Sequence, residues 1–131
     1  TWIKPRLSQL FSRVHAAGKK TILHSCGNGT AFVPELIEIG LDCLQSVQPE
    51  AVDPVKLKKK FGADICFWGG VPVQSLPSLS TEDIRRNVAR LREEMAPGGG
   101  YICSPAKALD ESVPVEKAIA LIESATDTKL M

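Results

Sequence analysis

Residues 18–24, Gly-Lys-Lys-Thr-Ile-Leu-His, contain the pattern that decides the fold: a glycine at the end of a helix, one to three further residues, then an apolar strand. The same pattern begins again at Gly40, Gly62 and Gly100. The first three glycines are 22 residues apart, which is the length of one compact strand-plus-helix unit. Glycine just after a helix can adopt the left-handed conformation that closes the helix without a steric penalty from Cβ. The repeat therefore predicts four strands, each followed by a helix.

Helical signals lie between and around these strands. They predict helices over residues 5–17, residues 31–39, residues 54–61, residues 80–95, and from about Pro114 onward. Asp53 followed by Pro54 is typical of an N-cap with proline in the first turn. Ser80 and Asp83 resemble a capping box, although Thr81 could serve as the cap instead. These start signals place helices where the apolar spacing also predicts them.

Short apolar strands that alternate with helices predict parallel pairing, with both faces of the sheet covered. A complete eight-stranded barrel needs about 250 residues, so four strands make half of one. We therefore predict an α/β fold in which residues 1–131 form a single (β/α)4-like segment, a parallel half-barrel. An open doubly wound sheet is the alternative, but no glycine-rich phosphate loop follows the first strand. The two open edges of a half-barrel predict a partner, which is either a missing half or a second copy.

Composition excludes several classes of function. The net charge of +1 provides no field for gathering nucleic acid or an anionic membrane. We expect no membrane association, since no segment approaches the ~20 apolar residues that a spanning helix needs. The start of the chain has no signal-peptide pattern. The 4 cysteines are far apart and three of them lie in apolar runs, which suits thiols in a reducing compartment and predicts a cytoplasmic protein.

Two residues with metal-binding side chains stand close together at the end of the first predicted strand. His24 and Cys26 are two positions apart, so strand alternation places both side chains on one face. Ligands bind at this carboxyl edge in parallel α/β folds. The pair could begin a zinc site, or it could be a packed histidine beside a buried thiol, and the spacing alone favours packing. Cys103, near the end of its strand, is the best third ligand, whereas Cys43 and Cys66 are expected in the core.

Three stretches together resemble the C-terminal half of the uroporphyrinogen decarboxylase superfamily. They are His24-Ser-Cys-Gly-Asn28, the segment from Leu57 through Phe61-Gly-Ala-Asp64 to Phe67-Trp-Gly-Gly-Val71, and Pro97-Gly-Gly-Gly-Tyr-Ile102. The resemblance covers about Val14 to Ile122 in order and spacing. It implies a TIM barrel, of which this chain would be the C-terminal part. The superfamily contains tetrapyrrole decarboxylases and methyltransferases that act on a small-molecule substrate.

The methyltransferase branch implies zinc, with a corrinoid as the methyl donor and a thiol as the acceptor. Its His-x-Cys motif matches His24 and Cys26, so the resemblance favours metal binding, with Cys103 as a possible third ligand. The late cysteine of that motif falls on Lys107, which cannot replace a thiolate ligand. Methyl transfer is our first expectation for function. Because the chain would lack the N-terminal half, we expect it to be inactive by itself.

Two alternatives stay open. A decarboxylase of tetrapyrrole (heme) biosynthesis would need no cofactor; Gln48, Trp68 and Gly69 would then line the substrate pocket and Lys107 would hold a substrate carboxylate. The second alternative is a catalytically inactive fragment that pairs with a partner through its open sheet edges.

Overall fold

A computed structural model describes residues 2–130 of the chain. In this part of the chain the helices are α1 (Ile3–Ala16), α2 (Val33–Glu38), α3 (Pro54–Phe61), α4 (Thr81–Met95) and α5 (Val115–Thr126). The strands are β1 (Ile22–His24), β2 (Cys43–Val47), β3 (Cys66–Val71) and β4 (Tyr101–Pro105). The predicted alternation of strands and helices is confirmed. No helix between residues 2 and 130 has both the length and the apolar character needed to cross a bilayer.

The four strands form one parallel sheet in the order β1-β2-β3-β4. Each strand therefore pairs with the next strand along the chain, and a helix lies in every crossover. An open doubly wound sheet reverses its strand order at a switch point, and this sheet does not. The sequential order is that of a (β/α) barrel, so the predicted α/β half-barrel is confirmed and the doubly wound alternative is wrong.

Alternation along the strands gives the sheet two different faces. The helix-facing side includes Leu44 and Phe67, which pack into the core with Leu91 of α4, and Phe67 and Leu91 are fully buried. The opposite side would be the interior of a closed barrel. Its edge strands expose Ile22 by 56% and Ile102 by 44%. The helix-facing side of the sheet is thus covered by the core, whereas the opposite side is uncovered at its edges and exposes apolar side chains there.

The helix starts predicted at Asp53 and Ser80 are confirmed, whereas α1 begins two residues before and α2 two residues after its predicted start. The Asp53 carboxylate accepts hydrogen bonds from the backbone N–H groups of Val55 at 3.0 Å and Lys56 at 3.2 Å. Ser80 and Asp83 form the reciprocal capping box at the start of α4. Each cap satisfies backbone donors that the first helical turn leaves without a partner, and contributes about 1 kcal/mol.

The prediction of a left-handed glycine that closes a helix is correct at Gly18 and Gly40, whose φ angles are 69° and 89°. Gly100 also has a positive φ of 65°, but it lies directly before β4 and well past the end of α4 at Met95, so it closes no helix. At Gly62 the prediction is wrong, since its φ is −71°. A Cβ atom on Gly62 would lie 2.4 Å from Cδ and 2.5 Å from the carbonyl oxygen of Lys58. Glycine is required at this position because Lys58 fills the space, and not because the backbone turns left-handed.

Gly69 allows β2 and β3 to approach closely at an irregularity in the sheet. The pairing register shifts between Gln45 and Val47, and Val47 then pairs with Gly69. Gly69 has a φ of 134°, and a Cβ atom there would lie 2.8 Å from the Val47 nitrogen and 2.9 Å from its oxygen. Both contacts are with backbone, which cannot move aside as the end of a side chain can.

We expect Gly69→Ala to lower the free energy of unfolding by about 2–4 kcal/mol, because a strained φ angle and a backbone clash act together. Urea denaturation measures the change. Gly29→Ala is the matched control, since a Cβ atom at Gly29 meets nothing within 4 Å. Equal stability of the two variants would contradict this explanation of Gly69.

A carboxylate at the amino edge of the sheet ties α1 to the starts of β1 and β2. Asp42 accepts hydrogen bonds from Lys20 Nζ at 2.8 Å and from the Thr21 N–H at 2.8 Å, and its Oδ2 lies 2.7 Å from His15 Nε2. Burial by itself raises the pKa of Asp42. The hydrogen bonds from Lys20, Thr21 and His15 outweigh burial and hold the pKa well below its ordinary value.

This arrangement predicts a pH-dependent contribution to stability. Because the folded pKa of Asp42 lies below the ordinary value of 3.8, the contribution is fully present above about pH 5 and is lost as the pH falls through the folded pKa. We expect Asp42→Asn to cost about 1–2 kcal/mol at neutral pH, and less at pH 3. Urea unfolding at both pH values measures this difference. A constant difference would contradict the linkage, and Asp64→Asn, at an exposed position, is the control.

Candidate active site

The two metal-binding side chains at the first strand end lie next to each other. His24 is the last residue of β1 and Cys26 follows two positions later, and both are exposed. His24 Nε2 lies 3.3 Å from Cys26 Sγ. This edge of a parallel sheet is the mouth of a (β/α) barrel, where the strands' carboxyl ends meet. The structure therefore brings an imidazole and a thiol together at the position where barrel enzymes carry out chemistry.

Strand β2 supports this pair from the side. Gln45 is opposite His24 in the β1–β2 register, and its Oε1 is hydrogen-bonded to His24 Nδ1. The Ser25 N–H donates to the Gln45 carbonyl oxygen at 2.6 Å. The Gly27 N–H donates to Gln48 Oε1 at 3.1 Å. Two glutamines of β2 and the loop after it thus hold the ring and the turn that follows.

Sequence reasoning missed Gln45. The signal available was a polar amide in the middle of the apolar strand Cys-Leu-Gln-Ser-Val, at a position that alternation places on the same face as Cys43. Its partner could not be identified without the register between β1 and β2. Gln48 was predicted to bind substrate. In the structure its oxygen is engaged by the backbone of the loop after Cys26.

The distance between the pair suits two ligands of one zinc ion. With Zn–S near 2.3 Å and Zn–N near 2.0–2.1 Å, a tetrahedral angle separates the two ligand atoms by ~3.6 Å. The observed 3.3 Å is within a few tenths of an ångström of that separation. It also allows a direct hydrogen bond between thiol and imidazole. Within residues 2–130 no group of three or more His, Cys, Asp or Glu side chains is placed to hold a metal. His24 and Cys26 would therefore account for two of the three or four protein ligands that zinc needs.

The structure does not bring Cys103 to this pair. Cys103 lies on the far edge strand, in register with Gly69, and three strand spacings separate β4 from β1, roughly 14 Å. Its side chain packs against the helix-facing core with Tyr101. Burial raises the pKa of the Cys103 thiol above its ordinary value, while Tyr101 and Arg92 act in the opposite direction. A buried thiol on the helix side is poorly suited to metal binding at the mouth.

The other two cysteines lie together but away from the strand ends. Cys43 and Cys66 are partners in the β2–β3 register, two residues before Gln45 and Trp68. Burial, together with the neighbouring Cys66 thiol, raises the pKa of Cys43 to about 12. Cys43 is buried and Cys66 half-buried. Both lie on the inner face of the sheet with Gln45 and Trp68 and outside the helix-facing core, where they were expected.

The residues predicted for a decarboxylase pocket lie on three parts of the sheet: Gln48 follows β2, Trp68 and Gly69 are in β3, and Lys107 follows β4. Trp68 is half-buried on the inner face, next to Gln45 in the register. Gly69 is needed for the close contact with Val47. Lys107 is exposed in the loop after β4, at the mouth but on the side opposite β1. Trp68 and Lys107 remain candidates for contacting a substrate that spans the mouth.

Comparisons with known proteins agree with this architecture. Residues 1–128 match the sequence profile of the uroporphyrinogen decarboxylase (URO-D) family. No curated protein sequence matches the chain significantly. A solved methyltransferase from Methanosarcina mazei has the same fold, with a TM-score of 0.72 and 23% sequence identity over 95% of this chain. The match covers 35% of that methyltransferase, so this chain spans about a third of its length. The chain belongs to the uroporphyrinogen decarboxylase (URO-D) family.

Proposed function

We propose that this chain is part of a zinc-dependent methyltransferase of the URO-D family, and that His24 and Cys26 are two of the zinc ligands. The observation that carries the proposal is the 3.3 Å separation of His24 Nε2 and Cys26 Sγ at the exposed mouth of the half-barrel. The methyltransferase activity of the structurally similar Methanosarcina protein supports the same branch of the family.

The chemistry follows from the donor set. Zinc bound there would supply Lewis acidity, which would keep a substrate thiol deprotonated and therefore nucleophilic at neutral pH. His24 and Cys26 would fix the ion at the strand ends, where both side chains are exposed. Because His24 and Cys26 are exposed, an acceptor thiol could reach them from the mouth. A corrinoid would be the methyl donor.

The rest of the ligand shell would come from a partner that covers the open side of the sheet. β1 and β4 are the edges of the sheet, and the inner face exposes Ile22 and Ile102. An open parallel edge beside an apolar face favours association with further strands. We therefore propose that the remainder of a barrel, or a second copy of this chain, covers the face and supplies a third ligand.

We expect purified protein to bind zinc, and both His24→Ala and Cys26→Ser to lose most of the bound metal, because each removes one of two local ligands. Elemental analysis after dialysis measures the zinc content per chain. Cys103→Ser is the matched control, since Cys103 lies on the helix-facing side, and we expect this variant to retain its zinc.

Two results would count against the assignment. Zinc content that is unchanged in both His24→Ala and Cys26→Ser would remove these residues as ligands. Loss of zinc in Cys103→Ser, with the melting temperature preserved, would show that Cys103 contributes despite its position. Light scattering with and without zinc should accompany these measurements, because a third ligand from a second copy would make association depend on zinc.

The decarboxylase alternative is favoured by one observation, the exposed cation of Lys107 at the mouth. A lysine there could hold a carboxylate of a tetrapyrrole without any metal. In that case Lys107→Ala should weaken the binding of a uroporphyrin by roughly 3- to 10-fold in fluorescence titrations. If the chain instead takes part in zinc-dependent methyl transfer, Lys107→Ala should retain its zinc. The uroporphyrin titration and the zinc content of this variant therefore separate the two alternatives.

A further inference from the structure

We infer that Gln45 is a positioning residue, which acts through His24 and determines which imidazole nitrogen faces Cys26. The part of this inference that concerns metal binding rests on the proposed function. The part that concerns the ring itself does not, because it follows from contacts within the chain. Gln45 lies in the middle of β2 and reaches the ring from the side opposite the thiol.

The argument begins with the hydrogen-bonding capacity of the two side chains. A carboxamide oxygen can only accept a hydrogen bond, and Gln45 Oε1 is the atom that meets His24 Nδ1. With Oε1 facing the ring, this contact assigns the proton of the neutral imidazole to Nδ1. The lone pair is then on Nε2, the nitrogen that lies 3.3 Å from Cys26 Sγ. The amide of Gln45 thus selects the tautomer whose lone pair points to the thiol.

Gln45 is more buried than the ring that it contacts. His24 is exposed at the end of an edge strand, whereas Gln45 is half-buried and pairs with His24 on one side and Trp68 on the other. The hydrogen bond from the Ser25 N–H to the Gln45 carbonyl oxygen fixes the two backbones beside each other. Without the Gln45 side chain, the ring would be free to rotate and to populate both tautomers.

Such a contact should change the affinity for metal, although Gln45 would not touch the ion. Partners of the non-coordinating nitrogen fix the orientation of a histidine ligand, and their removal typically weakens metal binding by roughly 10- to 100-fold. A carboxylate at the same position could accept the same hydrogen bond. Gln45→Glu should therefore preserve the orientation, while Gln45→Leu, which keeps the side-chain bulk, should lose it.

The first measurement requires no metal. Proton–nitrogen correlation spectra of the imidazole ring, assigned with a His24→Ala variant, report the tautomer of His24 in the metal-free chain at neutral pH. We expect the Nδ1–H form in the native chain and in Gln9→Leu, a control at an exposed position of α1. Gln45→Leu should show a mixture of tautomers. The same tautomer in Gln45→Leu as in the native chain, or an Nε2–H form in the native chain, would overturn the inference.

The second measurement is a titration with Co²⁺, which reports binding through its thiolate absorption bands. We expect Gln45→Leu to bind roughly 10- to 100-fold more weakly than the native chain, and Gln45→Glu to bind within a few-fold of it. An unchanged melting temperature shows that the loss is local. Equal affinity of Gln45→Leu and the native chain would overturn the role in metal binding. If no variant binds Co²⁺, the proposed function fails, and the tautomer measurement still decides the role of Gln45.

Discussion

The backbone hydrogen bonds between β1 and β2 determine where every group of the candidate site lies. The parallel register places Gln45 opposite His24, and the Ser25 N–H bonds to the carbonyl oxygen of Gln45. A shift of this register by one residue would turn Gln45 toward the helices and remove the partner of the ring. Asp42 holds the other end of the same two strands through Thr21 and Lys20. The contacts of Asp42 at the amino edge therefore stabilise the same β1–β2 register that places Gln45 beside His24 at the carboxyl edge.

Local signals predicted the elements because each signal is complete within a few residues. The caps at Asp53 and Ser80 are local hydrogen bonds, and their sequence patterns placed two helix starts correctly. Gly62 shows the limit of such patterns. Glycine can be required by a left-handed turn or by lack of space, and the second cause depends on a neighbour, here Lys58, whose position follows only from the folded helix.

The site was predictable in part for the same reason. His24 and Cys26 are close in sequence, so alternation alone placed them on one face. Predicting the position of Cys103 requires knowing which residues of β4 face the helices. Cys103 pairs with Gly69, and its side chain lies on the helix-facing side. Gln45 requires the register between strands, since an amide within an apolar strand gives no indication of its partner. Long-range pairing is the information that a single sequence does not provide.

The sequential strand order also has a kinetic consequence. Each strand pairs with the strand that follows it, so most of the contacts between strands are closed by a loop that contains one helix. The entropy lost in closing such loops is divided into steps of similar size. Because each parallel pair forms only after a whole helix-containing loop has closed, this sheet should form more slowly than a helical bundle, whose contacts are local. A sheet built in this way can grow from any adjacent pair of units, and its most recently added strand always offers an edge on which the next one can form.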